Sequence, residues 1–502
     1  MTTADDPDAT AKTPLPSEDI SVLAERAYSR TTGADAIRGN AVTLLIDARE
    51  NYPAWLAAIR SAERQILFEM YIVDNDDIGR EFATALAERA RAGVRVKVLV
   101  DWLGGWRGLG VWDVLDGTGA EVRLFNPPGF ASPLAWLSRD HRKTITVDDR
   151  IGFVSGLCVS KLWQGIPEKR REPWRDTGIS VEGPAVAALQ RAFALVWDVA
   201  GNALGPECFC EASSVAPAGD VTLRVVAGTP NAAGTYRLDL TIASVAREYL
   251  WLTDAYFVGT AAYVQSLAAA ARDGVDVRLL VPGASDIPFL SPVSRVAYKP
   301  LLEAGVRVFE WDGTMLHAKS AVADGIWARV GSTNLNLASW MGNYELDVAI
   351  EDRAFAQRMA HQYAIDLERS TEIVLTRRRR VRKAEDDGAA NGEAEAKRAA
   401  SGSAGRVAAG AVSVGSALSA ALTNRRPLGA AEAGLLVKMG FLALVLGSFA
   451  AYWPRLVAWP LAFIAGWMGI AWLVKSLVLR RQPPPEPPGD PEPSPRSGGP
   501  PD

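Results

Sequence analysis

The chain has 502 residues, 48% of them apolar and 22% charged, with a formal net charge of −4. That length exceeds one ordinary domain, and the apolar share suits globular units with large cores. The net negative charge argues against a protein that coats nucleic acid through a broad basic field. Three cysteines, Cys158, Cys208 and Cys210, are too few for a disulfide framework and point to a reducing environment. The single Cys-x-Cys at 208–210 lacks the second cluster that a zinc site needs.

Residues 1–38 read as a polar, disordered tail with one short helix near Ser21–Ser29, and nothing in them resembles a signal peptide. Residues 39–376 alternate apolar strand-like runs with helical stretches, the pattern of an α/β fold. In the first part, 39–215, a strand is expected at Gln65–Ile72, a helix at Gly79–Arg91, and strands at Gly93–Asp101 and Gly119–Phe125. In the second part, 216–376, a strand at Glu248–Phe257, a helix at Ala261–Arg272, and strands at Gly274–Val281 and Gly305–Phe309 follow in the same order. The repeated order predicts two duplicated halves packed about a pseudo-twofold axis, with equivalent loops meeting between them.

Residues 377–430 change to an Arg-rich run and then an Ala/Gly/Ser-rich linker. Within 434–479, residues 434–453 and 456–474 are each long and apolar enough to cross a hydrocarbon core, with Pro454-Arg455 as the turn between them. Arg425-Arg426 before this hairpin and Arg480-Arg481 after it place both ends, and the bulk of the chain, on the cytoplasmic side of the cytoplasmic membrane. Residues 480–502 are Pro-rich and read as disordered.

Each half ends its repeated pattern on the same motif. His141-x-Lys143-x4-Asp148 is followed by Ser155-Gly156, and His317-x-Lys319-x4-Asp324 by Gly331-Ser332-x-Asn334, at a constant shift in numbering. Residues two apart on an extended strand face one side, so each motif aims an imidazole and an ammonium at one spot. Only three histidines occur, and two of them stand in this pattern; His361 lies in a helical stretch, Ala354–Leu367, and reads as packing. Two lysines with Ser332 and Asn334 suit the charge on a phosphoryl group. One neutral imidazole can attack phosphorus while a second, protonated, donates to the leaving oxygen. Such chemistry calls for no metal and no cofactor.

The doubled motif resembles the signature of the phospholipase D superfamily. Trp174-Arg-Asp-Thr177, Gly39-Asn40 and Asp101-Trp-Leu-Gly104 are similar to bacterial cardiolipin synthases over about residues 39–375. The resemblance implies a phosphohistidine on His141, with His317 as general acid and then base. It implies phosphate binding by Lys143, Lys319, Ser332 and Asn334, and orientation of each histidine by a later acidic residue, Asp176 and Glu345. Asp148 and Asp324 complete the catalytic motifs mainly as structural ties behind each histidine. Cys158 stands where the family has a phosphate-binding Asn, so the first half lacks that contact. The implied activity is transfer of a phosphatidyl group to phosphatidylglycerol or another alcohol. The alternatives are hydrolysis to phosphatidic acid, or a nuclease of the same superfamily. The implied partners are phospholipids and the bilayer, with no nucleic acid.

Overall fold

The structure is a computed structural model that describes residues 17–128, 138–286, 290–375, 381–383 and 466–467. All but Pro128 and the last two of these belong to one compact unit. The hairpin expected within 434–479 and the Pro-rich tail lie outside the described residues but for the helical pair 466–467. Among the described residues no helix is long and apolar enough to cross a membrane.

The first half contributes β1 (Ile37–Ile46), β2 (Gln65–Met70), β3 (Arg95–Asp101), β4 (Glu121–Phe125), β5 (Lys143–Val147), β6 (Ile151–Ser155) and β7 (Thr177–Glu182). The second contributes β8 (Val221–Gly228), β9 (Tyr249–Thr253), β10 (Asp276–Pro282), β11 (Arg307–Trp311), β12 (Ser320–Ala323), β13 (Trp327–Gly331), β14 (Glu345–Glu351), β15 (Ser370–Leu375) and β16 (Val381–Lys383). They form one 16-stranded sheet in the order β4-β3-β2-β5-β6-β7-β1-β8-β14-β13-β12-β9-β10-β11-β15-β16. Strand order is mirrored about the β1–β8 seam, from β4 on one side to β11 on the other. In each half three strands run parallel, and the two motif strands and their neighbour are antiparallel.

Local chemistry accounts for the elements. The helix Asp77–Arg91 is capped by Asp76, whose carboxylate accepts from Gly79 N–H, and Thr260 caps the helix Ala261–Arg272 in the same way. Both helices close on a glycine with positive φ, Gly93 at 90° and Gly274 at 96°. The parallel strands after them therefore begin at Arg95 and Asp276, two residues later than the Gly-Val pairs suggested, because each glycine belongs to the helix end. Both faces of β2 and β3 are largely buried, as interior strands between helical layers require. One apolar cluster fills the first half, around Trp55, Phe68 and Phe82, and another the second, around Leu267, Leu279 and Tyr263. A third spans the seam, joining Val42, Val154 and Val181 to Leu223, Val330 and Val348.

The disordered tail expected over 1–38 needs correction for its described part. Ser17–Thr32 is a helix of 16 residues. It is tied down by Arg224, fully buried, which pairs with Glu25, reaches Ser29 Oγ at 2.9 Å and lies 4.4 Å from the Tyr28 ring. Tyr28 in turn accepts from the Trp327 indole at 2.9 Å. A helix of this polarity has little stability alone and is held by those contacts to distant residues, which a local reading does not see.

Candidate active site

His141 and His317 each sit just ahead of a motif strand, β5 and β12. Each is fixed by a backbone bridge to the other half: His141 N–H donates to Tyr344 O (2.9 Å), and His317 N–H to Arg175 O (2.7 Å). The residue after each of those acceptors is an acid, and the side chains cross accordingly. His141 Nδ1 meets Glu345 Oε2 at 2.9 Å, and His317 Nδ1 meets Asp176 Oδ2 at 2.8 Å. Each histidine of one half is thus oriented by a carboxylate of the other; for His317 the acid lies earlier in the chain, not later as the resemblance implies, because the backbone bridge to Arg175 brings Asp176 against the ring.

Both acids are buried. Burial pushes their carboxyls up, yet the net position is below the ordinary value: His317 and Lys319 hold Asp176 down, and His141, Lys143 and Ser332 hold Glu345 down. An ionised carboxylate only accepts, so Nδ1 of each ring carries the proton and Nε2 keeps its lone pair. Burial also pulls both imidazoles below their ordinary range, with the lysines adding to it; His317 falls to about 3. Both rings are accordingly neutral at physiological pH. The Lys319 ammonium also helps hold His141 neutral, and the Lys143 ammonium does the same for His317, as expected of two half-sites within electrostatic reach of each other.

A measurable consequence concerns stability. His317 binds a proton more weakly folded than unfolded, so its contribution is full above 6.5 and is lost as pH falls toward about 3. His317→Gln is expected to flatten the decline in unfolding free energy between about pH 7 and about pH 5 relative to the parent, as read from urea midpoints. Equal slopes in both proteins would contradict a buried neutral His317.

The lysines lie against aromatic rings and backbone. Lys143 Nζ donates to His141 O and lies 5.1 Å from the Tyr71 ring; Lys319 Nζ donates to His317 O and lies 5.7 Å from Tyr256. Tyr71 is edge-on to His141 at 4.9 Å and Tyr256 to His317 at 5.8 Å. Asp148 and Asp324 do not touch the histidines. The Asp148 carboxylate accepts from the N–H groups of Glu63, Arg64 and Gln65, and that of Asp324 from Arg247, Glu248 and Tyr249. They fasten the loops entering β2 and β9. Both have left-handed backbone, φ 54° and 50°, which Asp tolerates better than Ala. Asp148→Ala should therefore cost about 2–3 kcal/mol of stability, Asp148→Asn less, with turnover of the folded enzyme little changed. Denaturant titration and an activity assay on the same samples check this.

Ser332 and Asn334 follow β13. The Ser332 hydroxyl donates to Glu345 Oε2 (2.6 Å) and accepts from Leu346 N–H (2.9 Å), so its one donor serves the orienting acid. Asn334 Nδ2 stands 3.5 Å from Ser339 Oγ, and its Oδ1 has no hydrogen-bond partner among the described residues. Cys158, at the matching place in the first half, is buried in that half's apolar cluster; its carbonyl accepts from Tyr52 OH (2.6 Å), and burial pushes its thiol up to about 11. Gly156 stands where the second half has Ser332. A Cβ there would lie 2.2 Å from Asp176 Oδ1, so glycine admits that carboxylate.

Trp163 and Arg142 carry contacts that sequence reasoning missed. The Trp163 indole donates to Asp176 Oδ2 (2.8 Å), and its ring stands perpendicular to His317 at 5.2 Å. Arg142, inside the first motif and buried, donates to Glu345 O (3.0 Å) and Gly228 O (2.9 Å), tying that motif to the second half. Arg175, quoted above only as part of the Trp174–Thr177 motif, forks onto the buried Asp366 at 2.9 and 2.8 Å and so ties the Asp176 segment to the second half. Arg142 had a weak signal in its place between His141 and Lys143; Trp163 had none. Among the described residues no three His, Cys, Asp or Glu side chains cluster as metal ligands.

Three comparisons bear on this geometry. A family model described as "Cardiolipin synthase, PLD-like domain" matches residues 240–366, which hold the whole second motif through Glu345. Cardiolipin synthase A of Pseudomonas syringae pv. syringae is 32% identical over 356 residues, 69% of this chain and 73% of that protein. The cardiolipin synthase of Alkalihalophilus pseudofirmus is 30% identical over 337 residues; the chain spans 66% of its length, just under two thirds. The crystal structure of phosphatidylserine synthase from Haemophilus influenzae superposes with a TM-score of 0.55 at 15% identity, over 69% of this chain and 91% of that one, a likeness of fold.

Proposed function

This chain belongs to the cardiolipin synthase family of phospholipase D-like proteins, and on that footing we propose that it is a phosphatidyltransferase acting on phospholipids. The observation that carries the reading is the crossed pair of dyads, His141–Glu345 and His317–Asp176, with a lysine two residues after each histidine. Two neutral imidazoles with fixed tautomers and two ammonium groups suit a phosphodiester better than a carbonyl substrate, which would need only one such set.

In the proposed reaction, Nε2 of His141 attacks phosphorus and the bond to the leaving alkoxide breaks. His317 gives that oxygen a proton, leaving a phosphohistidine. An anionic phosphodiester beside the rings favours imidazolium over imidazole, so substrate itself brings His317 to the protonated state that burial and Lys319 disfavour. The neutral His317 then takes the proton of the acceptor hydroxyl, whose oxygen attacks phosphorus and releases His141. Lys143, Lys319 and Asn334 bind the phosphoryl oxygens, and Ser332 acts through Glu345. Residues 39–215 and 216–376 are proposed as duplicated halves, a reading supported by the mirrored strand order. Association with the cytoplasmic membrane through 434–453 and 456–474 belongs to the same proposal and is supported by their apolar composition.

The test is lipid profiling of a cardiolipin-deficient bacterium expressing this chain or its His141→Ala variant. New cardiolipin with the parent alone is expected. Phosphatidic acid in its place would make the enzyme a hydrolase, and an unchanged profile would sink the lipid reading.

A further inference from the structure

A pair of acids that the dyads do not use stands beside His141. Glu69 on β2 and Asp140, the residue before His141, are both fully buried. Among the described residues neither oxygen of Glu69 receives a hydrogen bond from a donor, and neither does Asp140 Oδ2. Thr144 stands opposite Glu69 across the β2–β5 pair, yet its hydroxyl is also without a partner. The side chain within hydrogen-bonding reach of Glu69 is Asp140 itself. Two ionised carboxylates have no hydrogen to place between them, so that contact needs a proton.

The surrounding charges call for the same proton. Asp101, at the end of β3, faces the pair and is met by Arg139 at 3.3 Å. Arg142 acts on both acids through its charge, but its guanidinium donates to the carbonyls of Glu345, Ala192 and Gly228 and to neither acid. Lys143 reaches Glu69 through its charge and serves Glu345 as well. The Tyr344 phenol also feels Asp140, and burial keeps it neutral. The helix Ala185–Val199 packs over these strands and adds no charge there, since its Arg191 and Asp198 are exposed. Three acids thus meet two guanidinium groups, and one proton closes the balance. Burial, and for Asp140 the Glu69 charge next, push both carboxyls above their ordinary range.

The second half has no such pair. Thr253 stands opposite Ser320 as Glu69 stands opposite Thr144, and Leu316 and Ala318 flank His317 where Asp140 and Arg142 flank His141. The acids therefore serve one histidine. Asp140 brackets it: its N–H donates to Asp101 Oδ2 at 3.0 Å, and its Oδ1 accepts from Arg142 N–H at 3.3 Å.

We propose that Glu69 and Asp140 share one proton, and that this bond fastens the backbone carrying His141 to β2. Both are positioning residues, since neither is bonded to the imidazole. The role rests on the reading of His141 as the nucleophile; the shared proton does not.

The experiment uses the full chain in detergent micelles, with unfolding by urea followed from about pH 5 to about pH 7. In Glu69→Gln or Asp140→Asn an amide donates to the remaining carboxylate and no proton is needed. The parent's raised carboxyls contribute stability that is full below the ordinary carboxyl range and is lost as pH rises toward about 7. The folding constant of each amide variant, relative to the parent, should therefore rise about tenfold per pH unit over that interval, the effect of one proton. Parallel pH dependences in all three proteins would overturn the shared proton. Turnover is read in the same samples at neutral pH. Glu69→Gln should keep kcat within about twofold of the parent, and Glu69→Leu, which has no donor, should lower kcat about tenfold at unchanged KM, the factor for one hydrogen bond. Parental kcat in Glu69→Leu, or equal losses in both, would overturn the positioning role. The proton count needs no substrate, so a chain that transfers no phosphatidyl group can still show the pair, and its failure would then fall on the reading of His141 alone.

Discussion

Replacing either His141 or His317 by alanine is expected to lower phosphatidyl transfer by roughly 10^4- to 10^6-fold, and replacing both should cost little more than replacing one. In the proposed reaction the two rings act in one path, so loss of the nucleophile or of the proton donor would remove the same route. The crossed geometry extends the expectation to the acids. Glu345→Gln should act as a lesion of His141, although the two stand on different halves of the sheet, and Asp176→Asn as a lesion of His317. An amide cannot hold the Nδ1–H tautomer as a carboxylate does, which in a related catalytic arrangement costs about 10^4-fold. Steady-state rates for the four single variants, with the two His–acid double variants, check this. A Glu345→Gln enzyme with full turnover would remove the orienting role; a double variant far below His141→Ala would show that the acid acts elsewhere.

The second large effect concerns stability. Arg329 on β13 is fully buried between Asp239, 3.0 Å away, and Asp347, 3.8 Å away, both also buried. Asp239 accepts from the Trp340 indole as well (3.0 Å), and burial pushes its carboxyl up to about 6 in spite of the guanidinium. Arg329→Met would leave two carboxylates in the core without their cation. The expected loss is about 3–5 kcal/mol, read as a fall in the denaturant midpoint. A triple variant that also makes Asp239 and Asp347 leucine should recover much of it, because the cost lies in the unpaired acids and not in the lost attraction. Asp347 is two residues from Glu345 on β14 and accepts from Thr333, next to Ser332. Activity should therefore fall before global unfolding in Arg329→Met. Parental stability in that variant would mean the acids are held by other partners.

What the sequence determined by itself was local. The doubled spacing singled out His141, Lys143, His317 and Lys319 as candidates, because a strand period of two and a chemical need for paired imidazole and ammonium are both written along the chain. The order of strands and helices was legible for the same reason, except that Gly93 and Gly274 proved to end helices and not to begin strands. The helix Ser17–Thr32 was foreseen only in part, since what holds it lies some two hundred residues away at Arg224 and about three hundred away at Trp327. Which acid serves which histidine was decided only by the tertiary structure. Nothing near His141 in the chain announces Glu345, 204 residues on, and nothing near His317 announces Asp176, 141 residues back. The pairing follows from the bridges Asp140–Tyr344 and Arg175–Leu316, which link the motif segment of each half to the acid-bearing segment of the other. Trp163 belongs to the same class. A tryptophan's neighbours, like a carboxylate's charge state, are set by what folding brings against it.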